Sequence, residues 1–262
     1  MTRDYTGKTV WITGASSGIG EALAYAFGER GARLVLSARR AERLMQVAKA
    51  SGARETHVVP LDLSALDTLP AIAERVVSEI GSVDIMIHNA GVGQRSLVLD
   101  TDFEVDRRMM DTNYLGPVAL TKALLPSMLR QQRGQIVVLS SVLGVLSAKR
   151  RSGYAASKHA LHGYFNSLRA ELSAQGISVL MVCPGHVHTE FSEQALEGDG
   201  SRHGVTDKSS EKGLSAGEVA HRTLCALERG KDEVLIAKWE SLAVYLNRLA
   251  PSLVRRAIAR LR

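Results

Sequence analysis

Tyr154 and Lys158 stand four residues apart in the stretch YAASK, which puts a phenol and an ammonium on one face if the segment is helical. A phenol with an ordinary pKa of about 10 holds its proton at neutral pH, and a fixed cation a few ångströms away favours the phenolate. Such a pair can deliver or accept a proton, which makes the stretch a candidate general acid or base. The spacing alone is weak, arising by chance in about one chain in five of this kind, so its weight depends on what surrounds it.

The surroundings repeat one arrangement: a β-rich run, a turn of small or polar residues, then a helix-like stretch. Strands are expected at residues 8–13, 33–37, 57–62, 83–88, 135–139, 178–183 and 234–237. The first ends at Gly14-Ala15-Ser16-Ser17-Gly18-Ile19-Gly20, before helix formers at 21–30. Glycines there allow a tight turn and close backbone approach to a pyrophosphate, and the free amides of the helix start face its charge. A glycine-rich turn can be only a turn; the position between strand and helix favours a nucleotide. The second strand ends at Ala38-Arg39-Arg40, where an NAD site would offer an acid to the ribose hydroxyls. No carboxylate stands there and a guanidinium can grip a phosphate through two hydrogen bonds, so NADP(H) is predicted. The alternative is that both arginines solvate the next helix.

The remaining strands end in the same manner. Asp62, followed by Leu63, is placed to hydrogen-bond an adenine amino group or to cap the next helix. Asn89-Ala90-Gly91 is small enough to leave room for a cofactor, and residues 111–128 read as a helix carrying Asn113 among apolar neighbours. The fifth strand ends at Ser140-Ser141 and the sixth at Pro184-Gly185-His186-Val187-His188-Thr189. Strands alternating with helices, with polar residues at the strands' C-terminal ends, predict an α/β Rossmann-type fold: a doubly wound parallel sheet in three layers with ligands along that edge. Residues 190–215, rich in Gly, Ser and charge without periodicity, read as a substrate loop. The expected organisation is one cofactor-binding and catalytic domain over 1–240 and a basic amphipathic extension over 241–262.

Composition narrows the function classes. With 262 residues, 45% hydrophobic and 23% charged, the chain suits one large α/β domain. Its two cysteines, Cys183 and Cys225, offer neither a disulfide framework nor metal-ligand spacing, so a reducing cytoplasm and no metal are expected. The polar first residues carry no secretion signal, and the uncharged stretch 134–148 is too short to cross a bilayer. Of the net charge of +6, five positive charges come from Arg248, Arg255, Arg256, Arg260 and Arg262, which follow Glu240 with no further acid. The remainder is nearly neutral, which argues against a nucleic-acid partner. In the tail, Leu246, Leu249, Leu253, Ala257 and Leu261 recur at helical spacing with arginines on another side, interrupted at Pro251. Such a segment either packs on its own domain or a neighbouring subunit, or lies on an anionic bilayer. Lys149-Arg150-Arg151, just before Tyr154, is either a solvated face or positive charge at the mouth of the site suited to an anionic substrate. Leu143, Val145 and Leu146 could line an apolar pocket.

Jointly these residues resemble the short-chain dehydrogenase/reductase family, in its short single-domain branch, over nearly the whole chain. Thr13-Gly14-x-x-x-Gly18-x-Gly20 resembles its cofactor loop, Asn89-Ala90-Gly91 its central motif, and Pro184-Gly185 with Val187 and Thr189 the segment that holds the nicotinamide carboxamide. Asn113, Ser141, Tyr154 and Lys158 resemble its catalytic tetrad, with Ser141 thirteen residues before Tyr154. Downstream, the chain is similar to the branch that joins the dehydrogenase/reductase 7B proteins with hydroxysteroid dehydrogenases. The resemblance implies an NADP(H)-dependent interconversion of a ketone and a secondary alcohol, on a lipophilic carbonyl substrate, by a homodimer or homotetramer. Tyr154 would give its proton to the carbonyl oxygen and Ser141 a hydrogen bond to it. Lys158 would hold the nicotinamide ribose and lower the tyrosine pKa, and Asn113 would position a water linking Lys158 to solvent. Eukaryotic members of the branch carry an N-terminal membrane anchor that is absent here, so the expected location is cytoplasmic, with peripheral membrane contact through the tail. A nucleotide sensor or scaffold would have no chemical need for Ser141, Tyr154 and Lys158 together.

Overall fold

The computed structural model describes residues 4–260. In chain order the first half comprises β1 (Thr9–Thr13), α1 (Gly18–Gly28), β2 (Arg33–Ser37), α2 (Ala41–Ala50), β3 (Thr56–Val58), α3 (Leu69–Glu79), β4 (Ile85–His88), α4 (Phe103–Met110), a π-turn (Asp111–Leu115) and α5 (Gly116–Gln131). The second comprises β5 (Gly134–Leu139), α6 (Ser152–Leu172), β6 (Ile177–Pro184), β7 (Val187–His188), α7 (Lys208–Glu211), β8 (Leu214–Ser215), α8 (Ala216–Glu228), β9 (Glu233–Ile236), α9 (Glu240–Leu249) and α10 (Pro251–Arg260). Seven strands form a parallel sheet in the order β3-β2-β1-β4-β5-β6-β9, and β7 pairs with β8 apart from it. The direction of winding reverses between β1 and β4, and the crevice at their C-terminal ends is where such sheets take ligands.

Alternation along the strands builds the layers. Val10, Ile12, Leu34, Leu36, Ile85, Ile87, Val137 and Leu139 pack with Leu23 and Phe27 of α1, Leu44 of α2 and Leu224 of α8. Their neighbours Trp11, Val35, Met86, Ile136, Val138, Val179 and Met181 face the other way, onto Val76 of α3, Leu120 and Leu124 of α5, and Phe165 of α6. Strands buried on both faces explain the nearly continuous apolar runs, and the fold is the predicted three-layer doubly wound one.

Several boundaries differ from those read in the sequence. The third strand, expected at 57–62, ends at Val58. Beyond it the chain still runs beside β2, with Val59 N donating to Leu36 O (2.9 Å) and Leu61 N to Ala38 O (3.2 Å); Pro60 between them directs its nitrogen to the open edge of the sheet, where no partner strand needs an N–H. The helix expected over 111–128 is the π-turn followed by α5, continuous with α4 before it and running on to Gln131, with Asn113 in the π-turn. Residues 190–215 carry α7 and β8, bury Ser192, Ala195 and Leu196, and pair Leu196 with Gln94 and Arg202. The basic extension is two helices, α9 and α10, broken before Pro251; Leu261 and Arg262 of that extension lie outside the described residues, as do residues 1–3.

Candidate active site

The crevice is floored by the turn between β1 and α1. Gly14 has φ +66°, and a Cβ there would lie 2.7 Å from Ala90 Cα; a Cβ on Gly20 would lie 2.3 Å from Gly14 O. Only hydrogen fits at either place, which brings the ends of β1 and β4 together. Asn89 fastens them, its amide donating to Thr13 O (3.0 Å) and Gly14 O (3.1 Å), while Thr13 Oγ1 accepts from the backbone N–H of Asn89 (3.1 Å) and Ala90 (3.3 Å). Ser17 is extended at the N-cap of α1 and its side chain makes no capping bond, so the first amides of the helix, from Gly18, Ile19 and Gly20, stay available to an anion. Thr189 closes the turn from above, its Cγ2 3.1 Å from where a Cβ of Gly18 would sit.

Arg40 reaches back over this turn, donating to Ser16 Oγ (3.2 Å) and Ser17 Oγ (3.0 Å), with Glu190 at 3.9 Å. Arg39 acts instead on Asp62, whose Oδ1 accepts from Ser64 N (2.9 Å) and Ser64 Oγ (2.7 Å). Asp62 therefore closes a local turn and does not cap the next helical segment, whose N-cap is Ala65. Leu63 is buried with the core behind it. On the far side, Gly185 N donates to Ile236 O (2.9 Å), and buried Glu240 accepts from His186 N (2.9 Å) and pairs with its ring (2.6 Å), fixing the 184–189 segment that carries Val187. Glycines that admit no Cβ, free helix amides and two guanidiniums just after β2, with no acid in β2's own end and the exposed Glu190 and half-buried Asp62 beside them, form a cradle that fits a dinucleotide phosphate.

Tyr154 and Lys158 lie on α6, one turn apart, and Ser141 follows β5. Ser141 Oγ accepts from Leu143 N (3.1 Å), which leaves its hydroxyl hydrogen to donate, and it lies close enough to the Tyr154 phenol to act against the rise of that group's pKa on burial. Lys158 is 3% exposed; Nζ donates to Leu139 O (2.8 Å) and lies 5.8 Å from the Tyr154 ring centroid. A Cβ on Gly91 would sit 3.6 Å from that Nζ, so the small residue keeps the space above Lys158 open. Burial pushes the Lys158 ammonium down to about 8. Burial also raises the Tyr154 phenol, opposed by the Ser141 hydrogen bond and by the Arg95 and Arg151 guanidiniums. Asn113 is fully buried, and its amide is taken up by Val92, accepting from its N–H (2.8 Å) and donating to its O (2.9 Å), and by Ser157 Oγ (3.0 Å). Its side chain thus ties the loop after β4 to the catalytic helix and does not reach Lys158.

Residues with no local sequence signal complete the site. Gln94 is fully buried, and its Oε1 accepts from Gly153 N (2.8 Å) and Tyr154 N (3.3 Å), satisfying two orphan amides at the start of α6. Its backbone oxygen accepts from Arg95 Nη1 (2.9 Å) and Arg151 Nη1 (2.8 Å). Both guanidiniums pair with Asp207 of the 190–215 segment, Arg151 at 3.3 Å. Phe191 of that segment packs against the Tyr154 ring at 5.8 Å. Arg151 is consequently an ion-paired, half-buried group rather than part of a solvated basic run, and Arg150, at φ +63°, donates to Arg95 O (3.1 Å). Among the described residues no cluster of His, Cys, Asp or Glu could hold a metal ion.

The arrangement can bind a dinucleotide along the β1/β4 crevice and move a proton at Tyr154 beside it. The short chain dehydrogenase family model matches residues 8–200. A protein of Xenopus laevis named dehydrogenase/reductase SDR family member 7B is 46% identical over 253 residues, 93% of this chain and 78% of that protein. The structure of a short chain dehydrogenase from Burkholderia cenocepacia in complex with NADP superposes with a TM-score of 0.82 at 25% identity, over 98% of this chain and 99% of the other. That of a short chain dehydrogenase/reductase from Burkholderia phymatum in complex with NAD gives 0.83 at 25% identity, over 96% of both chains. The chain belongs to the short-chain dehydrogenase/reductase family and is an oxidoreductase of that family.

Proposed function

We propose that the chain interconverts a ketone and a secondary alcohol using NADP(H). The observation that carries this reading is the Tyr154 phenol, whose pKa burial raises and Ser141 holds down, one helical turn from buried Lys158 at the mouth of a dinucleotide cradle. The nicotinamide, when bound, supplies or accepts the hydride at the carbonyl carbon. Tyr154 Oη gives its proton to the carbonyl oxygen in the reductive direction, and the Ser141 hydroxyl donates to the same oxygen as charge develops. Lys158 Nζ holds the nicotinamide ribose hydroxyls and Gly91 leaves room for them. Asn113 and Gln94 act as positioning residues, Asn113 by joining Val92 to Ser157 and Gln94 by holding the amides of Gly153 and Tyr154. A lipophilic carbonyl is favoured by Val142, Leu143, Val145 and Leu146, which follow Ser141 and cluster with apolar residues of α9 and α10. Two free cysteines suit a reducing cytoplasm, and the family resemblance supports a homodimer or homotetramer.

The preference for NADP(H) rests on Arg40 and Arg39. Arg40 already bridges Ser16 and Ser17, so it is the better candidate for a 2′-phosphate, while the charge of Arg39 acts on Asp62. NADPH is expected to be the more efficient cofactor, and Arg40→Ala to raise its KM by about 10- to 100-fold with little effect on NADH, as loss of a charge-assisted pair predicts. Arg39→Ala should have a smaller effect. Steady-state kinetics with both cofactors decide this: equal kcat/KM for NADPH and NADH in wild type and both variants would refute it.

A further inference from the structure

The C-terminal helices have two unlike faces. Val244, Val254 and Ile258 turn inward and cluster with Val142 and Leu146, the segment directly after Ser141, and Asn247 Nδ2 donates to Val145 O (3.1 Å). The pair is therefore fixed on the substrate side of the site. Outward, Trp239 is 71% exposed, Leu242 64%, Leu249 85% and Leu253 62%, with Tyr245 and Leu246 about half exposed. On α9 the exposed positions 242, 245, 246 and 249 recur at helical spacing, so they form one apolar stripe.

Of the charged residues in α9 and α10, all but the buried Glu240 are arginines. Arg248 is paired with Glu233 at 3.0 Å, whereas Arg255, Arg256 and Arg260 meet no carboxylate among the described residues. No Asp or Glu follows Glu240 in the chain. We infer that the outer face of α9 and α10 docks on an anionic lipid bilayer, its Trp, Tyr and Leu side chains entering the headgroup boundary and its free arginines meeting lipid phosphates. Among the described residues no helix is long and apolar enough to cross a membrane, so the contact is peripheral. Charge decides between a bilayer and a second copy of the chain. A two-fold contact of this face with itself would set uncompensated arginines against arginines, while an anionic surface attracts each of them.

The docking does not depend on the proposed reaction, and its test reads binding. The full-length protein is sedimented with vesicles of phosphatidylcholine alone and of phosphatidylcholine mixed with phosphatidylglycerol, at low and at high salt. Wild type is expected to bind the mixed vesicles at low salt about tenfold or more tightly than the neutral ones, with the advantage lost at high salt. Arg255→Glu with Arg256→Glu should weaken that binding by about tenfold or more. Leu249→Ser with Leu253→Ser should weaken binding as well, and both pairs should keep the wild-type circular dichroism and NADPH affinity. Equal sedimentation with both vesicle types would overturn the inference. So would a wild type that ignores vesicles while light scattering shows the leucine pair breaking a dimer, since a second copy would then cover this face.

Discussion

Tyr154→Phe is expected to leave a folded protein that binds NADPH as wild type does but turns over ketones about 10²–10⁴ times more slowly. The substitution removes one oxygen and keeps the ring, so the contact with Phe191 at 5.8 Å and the packing of α6 survive. What is lost is the hydroxyl that hands a proton to the carbonyl oxygen from beside Ser141. Ser141 can donate a hydrogen bond, but an aliphatic hydroxyl gives up its proton far less readily than a phenol, so it does not replace Tyr154. The effect should fall on kcat, because the proton moves in the transition state and contributes little to ground-state binding. Undiminished kcat in the variant would remove Tyr154 from the reaction.

Lys158→Met should also abolish activity, yet make the cofactor-free protein more stable at pH 7. Burial lowers the ammonium from its ordinary 10.5 to about 8 in the folded state. Below pH 8 the group is charged in both states, and the folded state bears the whole cost of a buried charge, about 3 kcal/mol. Between pH 8 and 10.5 the folded protein releases the proton before the unfolded chain does, so wild-type stability rises with pH; above that the cost is gone. Methionine avoids the charge but leaves Leu139 O without its 2.8 Å hydrogen bond, which offsets about 1–2 kcal/mol. A net gain of about 1–2 kcal/mol should raise Tm by about 2–6 °C at pH 7. Thermal denaturation from pH 7 to 10.5 measures it, and the gap between variant and wild type should narrow as pH rises. A variant less stable than wild type at pH 7 would contradict the assignment of Lys158 as a strained functional group. Such a trade of stability for function is common where an active site must hold a charge.

The sheet was legible because its strands are buried on both faces and each ends at a turn with its own chemistry. Period-two burial put Trp11 on one side and Val10 and Ile12 on the other, a division that apolar runs already imply. The edge was less legible: β3 ends at Val58 although Val59 and Leu61 still donate to β2, so the β-rich letters run on past the regular strand. The π-turn at 111–115 had no signal, since it is a change of hydrogen-bond register within residues that all suit a helix. In the site, Ser141, Tyr154 and Lys158 come together as their spacing on β5 and α6 suggests. Gln94, Arg95 and Asp207 could not be read, because Arg95 and Asp207 are 112 residues apart in sequence and pair only in the folded chain. Glu240 holds His186 across 54 residues and was invisible for the same reason. Arg151 shows the limit from the other side: three basic residues in a row look like a solvated surface, and only tertiary structure buries one of them against Asp207.

Reduction by NADPH labelled with deuterium at the transferable C4 position tests the central claim most directly. A panel of steroid, aliphatic and aromatic ketones would be offered to wild type and to Tyr154→Phe, and the products read by mass spectrometry. The account predicts that at least one ketone gives an alcohol carrying a single deuterium on the former carbonyl carbon, formed by wild type and nearly absent with the variant. NADPH that binds tightly while no ketone gains deuterium, or labelled alcohol formed equally by both proteins, would contradict it.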